Sequence, residues 1–222
     1  MKKLVSAIYD DWYPFYEILP KEAKHCDANE VLKVSADPTD LDTDSVLLLW
    51  GGGDISPSLY NAAPSRRGYG SVEPNRRDRI EWALLQRAIE IGIPIVGVCR
   101  GAQMLCAAAG GKLIQHLDNH AGANHEIITV DGEVMQVNSL HHQMMYPWEV
   151  DHRLLAWSKE KLSNEYHDED KILNEIPCEP ELVVFPKIKG IAAQWHPEAM
   201  HSTTPASQYL LKTIKEVMDG SI

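Results

Sequence analysis

The stretch IPIVGVCRGAQMLCAAAGG, residues 93 to 111, decides the fold. Its first residues, Ile93 to Val98, form an unbroken apolar run, the pattern of a strand buried on both faces. From Gly101 to Ala109 the pattern turns helical, and Gly110-Gly111 closes it. Strand, sharp turn and helix therefore meet at Cys99, with the small residues Gly97 and Gly101 on either side.

Upstream the same rhythm repeats. Val46 to Trp50 is a second continuous apolar run that stops abruptly at Gly51-Gly52-Gly53-Asp54. Arg76 to Ile91 carries Ile80, Leu84, Ala88 and Ile91 at helical spacing, with Gly92 as its stop. Nearer the N-terminus, Lys3 to Tyr9 reads as a first strand, Phe15 to Lys24 as a helix after Pro14, and Val31 to Ala36 as a short strand. Strands alternating with helices predict an α/β fold with a mostly parallel sheet and helices on both faces.

Downstream the character changes. Glu126 to Val130, Glu133 to Asn138, Arg153 to Ser158, Leu182 to Pro186 and Gly190 to Trp195 are short strand patterns joined by turn signals such as Asp131-Gly132. They predict antiparallel hairpins that extend the sheet. Lys159 to Glu181 is acid-rich and poor in apolar residues, the composition of a surface insertion or mobile loop. Thr204 to Met218 reads as a closing amphipathic helix, and no internal repeat is visible.

Bulk properties narrow the class. A length of 222 residues suits one catalytic domain over 1–222, and 44% hydrophobic with 24% charged residues is ordinary globular usage. A formal net charge of -11 repels phosphate backbones, so nucleic acid is excluded as an expected partner. The apolar run before Asp10 is too short for a secretory signal, and no stretch reaches membrane-spanning length. Cys26, Cys99, Cys106 and Cys178 lack CxxC spacing, which fits reduced thiols and a cytoplasmic location.

The chemistry centres on Gly97-Val98-Cys99-Arg100-Gly101. A thiol at a strand-to-helix turn meets the positive end of the helix, and that field favours the attacking thiolate. A buried core cysteine is the plain alternative, and a partner base decides between them. Gln194-Trp195-His196-Pro197-Glu198 supplies one. Pro197 biases His196 toward extended backbone, and residues two apart on an extended chain point the same way. Glu198 can then orient His196 while the imidazole takes the Cys99 proton. Gly51-Gly52-Gly53 offers backbone amides to an oxyanion, and with the Arg100 amide makes a two-donor hole worth about 3 kcal/mol per donor.

Cys99 in GVCRGAQ, QWHPE with His196 97 residues after the cysteine, the GGGD turn, and Asn138-Ser139-Leu140-His141-His142-Gln143 together resemble the class I glutamine amidotransferase superfamily. The likeness spans Val46 to Glu198. Within it, Gly51-Gly52-Gly53-Asp54-Ile55-Ser56-Pro57, Tyr60 and NSLHHQ resemble the γ-glutamyl-γ-aminobutyrate hydrolase branch, also grouped as peptidase family C26. The resemblance implies a flavodoxin-like sheet and a Cys99–His196–Glu198 triad. It implies an oxyanion hole from the Gly52 and Arg100 amides and a γ-glutamyl thioester released by water. Gln103 and the segment Ser139 to His141 would contact the α-amino and α-carboxylate groups of the glutamyl moiety. No metal and no organic cofactor is implied. The segment Asp10 to Ser45 is shorter, and Lys159 to Glu181 longer, than that branch leads one to expect, and Ala199 stands where an aromatic residue often follows HPE.

Other residues read as structural. His116, His120 and His125 with Asp118 have no recognisable metal-ligand spacing and are expected to be ordinary loop and strand-end groups. His141 and His142 alternate along a strand, so only one faces the pocket, and His141 is the expected one. Asp78 and Glu81 suit a helix start, and Cys106 a core position. The function expected is a stand-alone hydrolase of γ-glutamyl amides. A glutaminase that hands ammonia to a separate synthetase is the second reading, and a catalytically silent binding protein on the same fold is the third. The expected partners are a small-molecule γ-glutamyl substrate and either a synthetase or further copies of the chain in a homo-oligomer. An α/β-hydrolase would place its acid well before its histidine, which this chain does not.

Overall fold

A computed structural model describes residues 3–8, 32–122, 124–169, 171–173 and 175–222. The helix expected over Phe15 to Lys24, and Cys26, lie outside the described residues.

Strands β1 (Lys3–Ser6), β2 (Leu32–Val34), β3 (Ser45–Leu49) and β4 (Ile95–Val98) are joined by helix α1 (Arg76–Ile91), and helix α2 (Arg100–Ala108) follows β4. Next come β5 (Lys112–Ile114), β6 (His116–Leu117), β7 (His125–Thr129), β8 (Val134–Val137), β9 (Met144–Tyr146) and β10 (Arg153–Ser158). The chain ends with β11 (Tyr166–Asp168), β12 (Lys171–Leu173), β13 (Pro180–Phe185), β14 (Gly190–Ala193) and helix α3 (Pro205–Met218).

Nine strands make one sheet in the order β2-β1-β3-β4-β14-β13-β10-β7-β8. The five from β2 to β14 pair in parallel, and β13, β10, β7 and β8 add on in antiparallel fashion. This is the α/β architecture with a hairpin extension that the sequence predicts.

The continuous apolar run of β3 is explained by cores on both faces of the sheet. Val46, Leu48 and Trp50 enter one core with Ala206, Leu210, Leu211, Ile214 and Val217 of α3. Leu47 and Leu49 enter the other with Leu84, Leu85 and Ala88 of α1 and Ala102, Met104 and Leu105 of α2. Each such fully buried aliphatic side chain contributes about 1.5 to 3 kcal/mol. Helix α1 begins at a reciprocal cap, in which the Asn75 side chain accepts from the Asp78 amide at 2.9 Å and the Asp78 carboxylate accepts from the Asn75 amide at 3.0 Å.

The segment 159–181 differs from its expectation as a surface loop. Strands β11 and β12 pair with β6 in a second, three-stranded sheet. Its few apolar residues are well placed: Tyr166 and Ile176 are buried against Ile114, Leu117 and Met144, with Leu173 packed alongside. Two of its acids, Glu179 and Glu181, are buried at 1% exposure. Composition alone hides this, because the acids sit inside rather than on the surface.

Three adjacent parallel strands bring the site together. In register, Leu49 of β3 lies beside Gly97 of β4, and Val98 beside Ala193 of β14. Their C-terminal ends therefore deliver Gly51, Cys99 and His196 to one crevice, the place where open α/β sheets bind ligands. No helix among the described residues is long and apolar enough to cross a membrane.

Candidate active site

Cys99 occupies the turn between β4 and α2 with φ 50° and ψ -105°, a backbone conformation that a residue with a side chain rarely adopts. Its amide donates to the Ala193 carbonyl at 2.8 Å and its carbonyl accepts from the Gln103 amide at 3.1 Å, which holds the turn from both sides. The helix can pack this tightly on the sheet only because Gly97 and Gly101 lack side chains. A Cβ on Gly97 would meet the Gly101 carbonyl oxygen at 2.4 Å, and one on Gly101 would meet the Leu49 oxygen at 2.1 Å. Cys99 is 4% exposed, at the first turn of α2, where the amides of residues 100 to 102 have no preceding helical carbonyl.

His196 Nδ1 lies 2.6 Å from Glu198 Oε1. The reason differs from the sequence argument. Pro197–Ala199 is a turn of 3-10 helix rather than extended chain, and that turn swings Glu198 back beneath the ring. His196 Nε2 is buried and makes no hydrogen bond of good geometry, with the Cys99 sulfur as its neighbour. Burial alone would pull the imidazole down. Its interactions first with Cys99 and then with Glu198 outweigh burial and push it up to about 10. A cationic imidazole beside a thiol favours the thiolate.

Two residues unassigned by sequence hold these groups in place. Asn138 donates to the His196 carbonyl at 2.9 Å and accepts from the His196 amide at 2.8 Å, fixing the peptide that carries the imidazole. Arg77 donates to the carbonyls of Trp50 at 3.1 Å and Gly51 at 2.9 Å, while its Nε bonds Glu81 Oε1 at 2.9 Å. Asn138 was visible within the NSLHHQ segment. Nothing local to Arg77 marks it, since its partners are backbone atoms 26 and 27 residues away.

The glycines of the GGGD turn have separate jobs. Gly51 faces the His196 ring and the Cys99 Cβ, and Gly52, at φ +149°, lies against the Arg77 and Arg100 side chains. Gly53 meets nothing within 4 Å. The Arg100 guanidinium points away from the crevice and is buried between Asp78 and Glu81, pairing with both. The helix-start acids are thus structural, as expected, but through a buried ion pair as well as a cap.

The remaining residues divide. Gln103, one helical turn after Cys99, donates to the Gln143 carbonyl at 2.9 Å. The side chains of Ser139 and His141 turn the other way. Ser139 Oγ donates to the His120 carbonyl, and His141 is buried with Nε2 3.8 Å from Glu181 Oε1. His141 and His142 do point to opposite sides, but it is His142 that reaches the GGGD turn, with Nε2 2.8 Å from Asp54 Oδ1. His116, with Asp118 3.3 Å away, stands with His142, apart from His120 and His125. Cys106 is a core thiol, pushed up to about 12 by burial. Cys99, Cys106 and Cys178 are all free.

The family model of Peptidase C26 matches residues 36–131. The chain is 31% identical over 187 residues to Protein NtpR of Enterococcus hirae, covering 74% of this chain and 71% of that protein. It is 32% identical over 177 residues to the glutamine amidotransferase-like protein YvdE of Lactococcus lactis subsp. lactis, covering 71% of this chain and 67% of YvdE. Among solved structures, a glutamine amidotransferase from Thermotoga maritima has a TM-score of 0.53 at 15% identity, covering 99% of this chain and 93% of that one. A candidate GMP synthase component from Thermoplasma acidophilum has a TM-score of 0.63 at 14% identity, covering 100% and 95%. At those identities the structures speak for the fold alone. With these relatives and this matching model, the chain belongs to the class I glutamine amidotransferase superfamily, in its peptidase C26 family.

Proposed function

We propose that the protein is a cysteine hydrolase of γ-glutamyl amide bonds that works through a γ-glutamyl thioester. One observation carries the reading: Cys99 stands on a strained strand-to-helix turn beside a His196–Glu198 pair held at the end of the neighbouring parallel strand.

His196 takes the proton of Cys99, and the thiolate attacks the γ-carbonyl carbon. The amides of Gly52 and Arg100 receive the oxyanion, each donor lowering the barrier by about 3 kcal/mol. His196 then returns the proton to the departing amine, Glu198 stabilises the imidazolium, and water activated by His196 cleaves the thioester to glutamate. Gln103 and the segment from Ser139 to His141 hold the α-amino and α-carboxylate groups. Because the Ser139 and His141 side chains face inward, that segment acts through its backbone. No cofactor enters the scheme.

The test is release of glutamate and amine by the purified protein, from glutamine and a panel of γ-glutamyl amines, beside Cys99→Ala. Turnover of a γ-glutamyl amine well above glutamine, abolished in Cys99→Ala, is the expected result. Turnover that survives Cys99→Ala would sink the reading.

A second reading is favoured by a specific likeness. Residues of this chain are 29% identical over 102 positions to the carbamoyl phosphate synthase small chain of Photobacterium profundum, covering 46% of this chain and 21% of that protein. On that reading the protein supplies ammonia from glutamine to a separate synthetase. Cys99-dependent glutaminase activity that appears only with a partner protein would select it.

A further inference from the structure

Behind the active site lies a cluster that the proposed reaction does not use. His120, His125 and His141 converge on one oxygen, Glu181 Oε1, with His125 Nε2 at 3.1 Å and His120 Nδ1 and His141 Nε2 each at 3.8 Å. The rings of His120 and His125 are 5.0 Å apart between centroids, and those of His120 and His141 4.6 Å. The ligand atoms of His120, His125 and Glu181 all lie within 4.8 Å of one another. Every member is at least nine-tenths buried.

We propose that this cluster is a zinc site, with His120 Nδ1, His125 Nε2, His141 Nε2 and a Glu181 oxygen as its four ligands.

Geometry supports it. Ligand bonds of about 2 Å in a tetrahedron put neighbouring ligand atoms roughly 3.3 Å apart, so the three nitrogens already stand within about 0.5 Å of the required distance from the carboxylate oxygen.

The outer nitrogens are arranged as a metal site requires. His141 Nδ1 donates to the Gln143 carbonyl at 2.9 Å, which leaves Nε2 as the lone-pair nitrogen facing inward. His120 Nε2 sits 3.1 Å from Glu179 Oε2, a carboxylate against the far side of a ligating imidazole. Glu179 is itself fixed by the amides of Leu162 and Ser163 and by the Tyr166 hydroxyl.

Charge supports it too. Glu179 and Glu181 are both buried, and their ionic partners among the described residues are histidines alone. Glu181 Oε2, His125 Nδ1 and His141 Nε2 have no hydrogen-bond partner, an arrangement that is costly unless a cation sits among them. Three imidazoles with one carboxylate select a borderline ion such as zinc over magnesium or calcium, which prefer all-oxygen shells. Four protein ligands leave no open position, so the role is structural. The ion would staple β7, β13 and the segments around 120 and 141. Glu181 also accepts the Gln194 amide at 2.8 Å through its carbonyl, two residues before His196.

The test uses the full chain carrying Cys99→Ala, so that the catalytic thiol cannot hold the metal. Protein stripped with a chelator, reloaded with zinc and desalted is assayed for metal, and its melting temperature is followed during titration. The expected result is one zinc per chain, a rise in melting temperature that saturates at that ratio, and a cobalt-substituted spectrum of tetrahedral intensity without a thiolate charge-transfer band. Glu179→Gln is expected to weaken zinc binding about 10- to 100-fold, the effect of losing an outer-shell partner. In Glu181→Gln and His125→Ala retention falls below one tenth of an equivalent. No zinc retained and no thermal shift in Cys99→Ala would overturn the proposal, whatever the other variants do. So would full retention in Glu181→Gln, or a cobalt spectrum showing sulfur ligation.

Discussion

Gly51 approaches the His196 ring so closely that a Cβ placed on it would lie 2.6 Å from Cε1 and 3.3 Å from Nδ1. The same atom would lie 3.7 Å from the Cys99 Cβ. The first glycine of the turn is therefore a spacer that lets base and nucleophile share one edge of the sheet. Gly51→Ala must push the imidazole aside. A displacement of about 1 Å at a catalytic group costs about 100-fold in rate. We expect kcat to fall by about that factor with a melting temperature close to wild type. Steady-state kinetics on the best γ-glutamyl substrate, with a thermal melt alongside, checks it. A wild-type kcat in Gly51→Ala would show that the ring has room to spare.

The Asn138 side chain reads the His196 peptide with both its donor and its acceptor. Asn138→Ala leaves a part-buried N–H and C=O unpaired, worth about 1 to 3 kcal/mol. Asn138→Asp keeps the shape but turns an oxygen toward the His196 carbonyl, so repulsion replaces a hydrogen bond. Denaturant unfolding is expected to rank wild type above Ala and Ala above Asp, with kcat in the same order. An Asp variant as stable as wild type would remove Asn138 from the positioning machinery.

How much of this was legible in the sequence depends on the range of the interaction. The helix over Arg76 to Ile91 was readable to its ends, because cap residues and apolar spacing are local. So were Cys99, His196 and Glu198, each carried by a short segment with its own chemistry, although the 3-10 turn that joins the last two was not. Arg77, Asp78, Glu81 and Arg100 were opaque, since their pairing needs α1 laid beside the start of α2. Segment 159–181 was misleading for the same reason. Its charge suggested solvent, and only the histidines from three other places in the chain explain why Glu179 and Glu181 are inside.

The raised pKa of His196 makes stability depend on pH in a definite direction. Its ordinary value is 6.5, and in the folded protein it stands at about 10. Folding therefore favours the protonated ring. The contribution is whole below pH 6.5 and is lost as pH rises toward 10. Cys99→Ala removes the foremost of the interactions that raise it. Across that interval the wild-type denaturation midpoint is expected to fall more steeply than that of Cys99→Ala. Parallel slopes would contradict the coupling of Cys99 to His196.

Arg100 shares its guanidinium between Asp78 and Glu81 at 2% exposure, while Glu81 is also held by Arg77. Truncating one member of a buried pair leaves the others charged and desolvated, at a cost of about 3 to 5 kcal/mol. Arg100→Met strands Asp78 completely and is expected to lose that much. Glu81→Gln leaves Arg100 with Asp78 and is expected to lose less. Chemical denaturation of the two variants measures the difference. Equal losses would mean that Glu81, rather than Asp78, is the partner that matters.

Cys99 is held at φ 50° and ψ -105°, well away from the left-handed helical well, whose ψ is near +45°. For a residue with a Cβ such a conformation costs on the order of 1 to 3 kcal/mol, and the surrounding structure must impose it. Its anchors are the hydrogen bonds to Ala193 and from Gln103, which do not involve the side chain. Glycine should therefore adopt the turn at lower cost than any other replacement. Cys99→Gly and Cys99→Ala both lack the thiol, so neither turns over substrate, and their stabilities compare backbone strain directly. We expect the glycine variant to unfold at higher denaturant by about 1 kcal/mol, even though glycine gains more freedom in the unfolded chain. If alanine proves equal or better, the elbow is relaxed, and the exposure of the sulfur to His196 owes nothing to stored strain.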